Sequence, residues 1–312
     1  MQPVTFNTLI ARNKRNSYLL IAFFMLFFIA FGVLIGEVWG QGDRTFRVGV
    51  PVAAGALAFL LTLFSYFGGP SALLGMSNAR QIAKSDDPEL FNVIEELAIA
   101  GGMPMPRVFV IDSPAMNAFA TGRNPKHAAV AITAGLRHKL SRDELQGVMA
   151  HELCHIRNYD ILYSMLMAVL VGTLVMLADV FVRSMYFGGM TGRSRRRNSK
   201  GGGGGQIIIV VIALVLAILA PILARIIQMA LSRQREYLAD AASVDLTRNP
   251  QGLASALAKL SGDREILESA NRATAPLYIV PPVMRLGHDA RNLLSTHPPL
   301  KERIDRLMSL TK

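Results

Sequence analysis

The chain has 312 residues, 51% of them hydrophobic, and a formal net charge of +11 at pH 7. With a mean hydropathy of +0.34 and its apolar residues gathered into long blocks, it is excluded from the ordinary soluble domains. The basic excess does not indicate nucleic-acid binding: it lacks interleaved aromatics, helix-turn-helix or zinc-finger spacing, and it clusters beside the apolar blocks, where anionic lipid and the positive-inside rule account for it.

In chain order, the first apolar block is Ser17 to Gly36, preceded by Arg12, Lys14 and Arg15. Its length, and its end at Glu37-Val38-Trp39 without a small-x-small cleavage pattern, predict a retained anchor and not a signal peptide. A second block, Gly49 to Phe67, is also long enough to cross a hydrocarbon core of ~30 Å as a helix. Residues 1–70 therefore predict a transmembrane hairpin. Its basic N-terminus faces the cytosol, the Gln41 to Phe46 connection faces outward, and the chain returns to the cytosol from Gly68.

Residues 71–160 read as the first half of a globular domain. Pro88 to Gly101 predicts an amphipathic helix with Leu90, Val93, Ile94, Leu97 and Ala98 on one stripe. Arg107 to Ile111, Asn117 to Gly122 and Ala128 to Thr133 predict three short strands, divided by Ser113-Pro114 and Asn124-Pro125. An exposed edge of such a sheet offers a peptide a place to add as a strand.

Ser141-Arg142-Asp143-Glu144 is a capping box, so a helix starts at about Arg142. Its later turns carry His151-Glu152-Leu153-Cys154-His155, which is His-Glu-x-x-His. On a helix the i, i+4 spacing turns both imidazoles to one face, where they can share a zinc ion. Cys154, the only cysteine, is displaced by about 100° from His155 and is expected to pack as a small apolar residue. A lone cysteine forms no intramolecular disulfide, which agrees with a reducing cytosolic setting.

Two more apolar blocks follow: Ile161 to Val182, directly after the zinc helix, and Ile207 to Met229, which holds Pro221 and Arg225 and leads into the second half of the domain, residues 231–312. Between them lies a basic, glycine-rich connector, residues 183–206. Both blocks are expected to cross, although that places the connector's arginines on the outward side, against the positive-inside rule. The second half reads as helices over Glu236 to Leu246, Pro250 to Gly262 and Pro299 to Leu310.

A catalytic zinc needs three protein ligands and one open position, so the two histidines need a third donor. Glu236 is the best candidate, and Asp240, one turn on and on the same face, is placed to accept a proton from a ligating histidine and fix its tautomer. Glu152, next to a ligand without being one, is the expected general base. The cofactor so implied is one Zn2+ per chain. A further donor to the oxyanion is expected from His297 or Tyr237.

Four motifs together resemble the HtpX-type membrane zinc metalloproteases, gluzincins related to the CAAX prenyl endopeptidase. They are the zinc helix, Glu236 with Asp240, Asn117-Ala118-Phe119-Ala120-Thr121-Gly122, and Ser295-Thr296-His297-Pro298, with the apolar blocks in the expected order. The resemblance implies that Asn117 positions the substrate backbone and that His297 stabilises the oxyanion. It also implies an integral protein of a bacterial inner or plasma membrane whose cytosol-facing site cleaves damaged or unassembled membrane proteins. The expected fold is α+β: mainly helical, with four hydrophobic segments and a zinc-protease domain holding a small sheet. An intramembrane protease is the runner-up, disfavoured by Arg142, Asp143, Glu144, Arg157 and Asp160 around the zinc helix and by the lack of a Leu-Asp-Gly motif. A non-cutting zinc-dependent scaffold or chaperone is a second alternative, for which Glu152 would serve no purpose.

Overall fold

The computed structural model of the protein describes residues 6–40, 43–170, 233–270, 274–282 and 298–310. Two long helices open it, α1 (Phe6–Trp39) and α2 (Arg44–Met76), and the stretches Ile10–Glu37 and Arg44–Met76 are long and apolar enough to cross a membrane. Leu19, Leu26, Phe59, Leu60 and Phe64 stand exposed on their outer faces, a surface that hydrocarbon accepts and water does not. Asp43 caps α2 by accepting from the Thr45 and Phe46 N–H groups, and Arg47 holds both Glu37 oxygens at 2.6 and 2.7 Å, which closes the hairpin.

The second span differs from the expected Gly49 to Phe67. The helix runs through Pro51 and Pro70 and beyond Gly68 to Met76. At about 1.5 Å per residue it is ~50 Å long, more than the hydrocarbon core needs, so one end stands clear of lipid. That end is anchored: Leu73 is buried with residues of the membrane hairpin and Leu74 with the sheet. Position 70 thus lies within a helix that joins the hairpin to the globular part.

The globular part begins with β1 (Ala79–Gln81) and α3 (Pro88–Ala100), followed by β2 (Arg107–Ile111), β3 (Ala118–Gly122) and β4 (Ala128–Thr133). The sheet order is β1-β2-β4-β3, with β2 and β4 parallel and the other pairs antiparallel. Sequence reading finds β2 to β4 within a residue and misses β1, whose three residues are too few to show a period. Leu90, Val93, Ile94, Leu97 and Ala98 of α3 are all buried, as their stripe predicts.

The chain then forms α4 (Ala134–Lys139), α5 (Arg142–Arg157) and α6 (Asp160–Leu170). In the capping box of α5 the Ser141 hydroxyl accepts from the Glu144 N–H and the Glu144 carboxylate accepts from the Ser141 N–H at 2.8 Å. Three further helices complete the described chain: α7 (Arg233–Thr247), α8 (Pro250–Gly262) and α9 (Leu300–Ser309). Glu144 also takes the Lys259 ammonium at 2.6 Å and the Ser255 hydroxyl at 2.8 Å, binding α5 to α8. Burial works to raise its pKa, but Lys259, the Ser141 amide and Ser255 hold it below the usual range.

Crossing of α5 and α8 depends on glycine. A Cβ at Gly147 would stand 2.6 Å from the Leu253 nitrogen, and one at Gly252 would stand 2.6 Å from the Asp143 oxygen. No side chain fits either point, so the zinc helix is seated backbone to backbone.

The start of the third apolar block, in α6, packs Leu162, Met165 and Leu166 against Leu20, Phe24 and Phe28 of α1. The rest of that block beyond Leu170, the connector 183–206 and the fourth block Ile207 to Met229 lie outside the described residues. What is described is a mainly helical protein with a small mixed sheet and two membrane-length helices.

Candidate metal centre

Helix α5 delivers His151, Glu152 and His155 to one cleft, and α7 delivers Glu236 and Asp240 from the opposite side. His151 is fully buried, and Glu152, Glu236 and Asp240 are nearly so. Such burial of polar groups is costly unless they meet one another or a cation. His151 Nε2 and His155 Nε2 are 3.1 Å apart, and Glu236 lies 3.7 Å from each. Donors bound to one tetrahedral zinc at about 2.0–2.1 Å are separated by roughly 3.3–3.4 Å, so this triangle fits the ion.

Charge supports the same fit. Burial opposes a proton on His155, but the Asp160 hydrogen bond and the nearby Glu236, Asp160 and Glu152 carboxylates raise its pKa to about 9. A field that holds a proton so firmly also favours a metal cation at the same nitrogen. His151 behaves oppositely, its pKa lowered chiefly by burial, with Asp240 acting the other way.

Each ring is fixed from behind. His151 Nδ1 is 3.0 Å from Asp240 Oδ1, and His155 Nδ1 is 3.0 Å from Asp160 Oδ2. With both Nδ1 atoms facing carboxylates, both Nε2 atoms are turned toward Glu236, the arrangement in which outer carboxylates orient ligating histidines. Asp240 is itself gripped by Arg303 of α9, which donates from Nε at 2.8 Å and from a terminal nitrogen at 2.7 Å. Burial would raise the Asp240 pKa, but the Arg303 charge and its two bonds hold the group below the usual range. The other terminal nitrogen of Arg303 donates to the Ile279 carbonyl at 3.1 Å.

Sequence reading does not single out Arg303, and its signal is modest. On α9, Leu300, Arg303, Ile304 and Leu307 share one helix face, and Arg303 is as buried as a core leucine. An arginine in the middle of an apolar stripe is the clue. Asp160 enters the reading only as one of the charges flanking the zinc helix, because nothing local marks it as a partner of His155.

Glu152 lies beside the three donors, with the Ala120 N–H of β3 close to its carboxylate. Burial, opposed by His155 and helped by Glu236, raises its pKa to about 7. Cys154 is buried against Ala239 and Ala242 of α7, and burial pushes its thiol up to about 12. It is inert packing, facing away from the cleft.

Asn117 sits one residue before β3, buried, its side-chain amide donating to the Val280 carbonyl at 3.0 Å. The Ile279 N–H donates to Ala118 O, so the 274–282 segment meets the outer edge of β3 there. Tyr237 is directed elsewhere. Its ring stacks under the Arg306 guanidinium at 3.7 Å, and it is absent from the cleft lining, which includes Ala120, Ser164, Arg235 and Leu277 beside His151, Glu152, His155 and Glu236. His297 lies outside the described residues, while Pro298 and Pro299 lead directly into α9.

A buried His-Glu-x-x-His helix closed by a glutamate from a later helix, on a chain with two membrane-length helices, places the protein in the class of membrane metalloproteases. Residues 84–311 match the model of peptidase family M48. The chain is 43% identical to a Protease HtpX homolog of Lactobacillus acidophilus over 96% of its own length and 97% of that protein's. Identity to the corresponding protein of Dictyoglomus turgidum is 41%, over 98% and 95%. With that of Listeria innocua it is 44%, over 96% and 98%. The crystal structure of S. mikatae Ste24p is similar at a TM-score of 0.47 and 20% identity, covering 96% of this chain and 66% of that one. The chain belongs to peptidase family M48, among its HtpX-type proteases.

Proposed function

We propose that the protein is a zinc endopeptidase of a bacterial inner or plasma membrane, with its site facing the cytosol, that cleaves damaged or unassembled membrane proteins. The observation that carries this reading is the convergence of His151, His155 and Glu236 beside a buried carboxylate that is not itself one of the three donors. When bound, zinc supplies Lewis acidity toward a peptide carbonyl and toward water. Glu152 takes the proton from the attacking water and returns it to the leaving amine. Asp240 and Asp160 hold the two imidazoles in the tautomer that leaves Nε2 free, and Arg303 keeps Asp240 ionised.

The substrate is expected along β3. That strand is at the sheet edge, and because Ala118 O faces away from β4, the backbone groups of Ala120 and Gly122 face the same way by the two-residue period. An extended peptide adding beyond Ala118 runs past the donors, and Asn117, whose amide holds the Val280 carbonyl, is proposed to position it through the 274–282 segment. His297 is the proposed oxyanion donor, since Tyr237 is turned toward α9.

A cytosolic orientation is supported by α1, whose N-terminal end reaches the loop after α5, and by Arg12, Lys14 and Arg15 there, which the positive-inside rule assigns to the cytosol.

The test is to incubate the purified full-length protein, in detergent with zinc, with unfolded membrane proteins of known topology and to identify the peptides released. The expected products end in cytosolic loops and are absent with Glu152→Gln. Cuts confined to lipid-spanning segments would favour the intramembrane reading. Tight binding without any cut would favour a scaffold.

A further inference from the structure

Asn13 is 4% exposed although it lies in α1 at the start of a membrane-length stretch. Asparagine is a poor helix former, and burying its amide is costly unless every donor is matched. Both are matched. Nδ2 donates to the Asn158 carbonyl at 2.9 Å and to Asp160 Oδ1 at 2.6 Å. Since both partners accept, the amide must present its nitrogen to them, which settles its orientation. Asp160 uses its other oxygen on His155 Nδ1 at 3.0 Å. The continuous chain is therefore Asn13, Asp160, His155, and it ends on a ring nitrogen of the metal centre.

Docking of α1 alone does not require this. The bond to the Asn158 carbonyl, at the end of α5, together with Lys14 stacked over Tyr159 at 4.2 Å, would seat the helix. The second bond, to a carboxylate already engaged with a histidine, is charge-assisted and short, and it sets the direction in which that carboxylate points. Among the described residues, Arg235 Nε is also 4.0 Å from the oxygen that Asn13 holds, a looser contact than the Asn13 bond.

We propose that Asn13 is a positioning residue of the metal centre, so that the N-terminal membrane helix forms the outer support of His155 and zinc affinity depends on that helix being docked. This rests on the reading of His151, His155 and Glu236 as the zinc donors. A chain whose anchor is displaced would then release its metal more readily, which ties competence for proteolysis to membrane insertion.

The test measures zinc dissociation constants of the full-length protein in detergent by chelator competition, with cobalt absorption spectra of the same variants. Asp160→Asn should weaken zinc binding by about 10- to 100-fold, and Asn13→Ala by about 10-fold, the low end for a partner acting through another group. Asn13→Asp keeps the size and sets a second carboxylate against Asp160, and should weaken binding further. Ser17→Ala removes only a bond within α1, from the Ser17 hydroxyl to the Asn13 carbonyl, and should leave zinc affinity unchanged. In the double variant Asn13→Ala/Asp160→Asn the loss should match Asp160→Asn alone, because the two act in series. Cobalt bands should shift with Asn13→Ala and not with Ser17→Ala.

Wild-type affinity in both Asn13 variants, or a lowered melting temperature with unchanged affinity and spectrum, would overturn the proposal while leaving the zinc site intact. Additive losses in the double variant would overturn it as well. If His151→Ala bound zinc as wild type does, the donor reading itself would fall, and this proposal with it.

Discussion

Glu152→Gln is expected to retain about one zinc per chain and to lose roughly 10²-fold or more in turnover, the amount general-base catalysis alone supplies. The substitution preserves shape in a buried position, so the fold has no reason to change. What disappears is a group able to take a proton from water and hand it to the leaving amine. Zinc content by elemental analysis and cleavage of a quenched fluorescent peptide check the two halves separately. Wild-type turnover in this variant would remove Glu152 from the mechanism.

Glu236→Ala is expected to empty the site at micromolar zinc, because two imidazoles alone do not complete the three-donor set of a catalytic centre. Asp240 acts one step further out, and Asp240→Asn should weaken zinc by about 10- to 100-fold while remaining rescuable by added metal. Asparagine is the better probe here than alanine. Both substitutions remove the negative charge beside the fully buried Arg303, but alanine also removes every acceptor for its two bonds, whereas the asparagine oxygen can still accept one of them. Competition against a chelator distinguishes the two positions, and tight zinc in Glu236→Ala would contradict the donor assignment.

Much of this centre was legible because its signals are local. The i, i+4 histidines, the capping box that starts their helix and the stripe of α3 each lie within a few turns of chain, where helical geometry alone dictates which residues share a face. Glu236 and Asp240 were legible for the same reason, as a pair. What joins them to other elements was not. Arg303 reaches Asp240 across 63 positions and Asn13 reaches Asp160 across 147, and no period in the sequence relates residues so far apart. The continuation of α2 to Met76 was missed because Gly68, Gly69 and Pro70 read as a break, whereas packing of Leu73 and Leu74 sustains the helix. Tyr237 shows the converse limit: adjacency to Glu236 in sequence turned it about 100° around α7, toward Arg306 and away from the cleft.

We propose that one zinc held by His151, His155 and Glu236 makes this chain a peptidase. The most direct test is to strip the detergent-solubilised protein with a chelator and titrate zinc back while following peptide cleavage and bound metal together. The stripped protein should not cleave, activity should return in proportion to bound metal and level off at about one zinc per chain, and Glu152→Gln should take up the same metal without recovery. Undiminished cleavage by the metal-free protein, or full zinc uptake by the wild type with no cleavage of any peptide or unfolded membrane protein, would contradict the proposal.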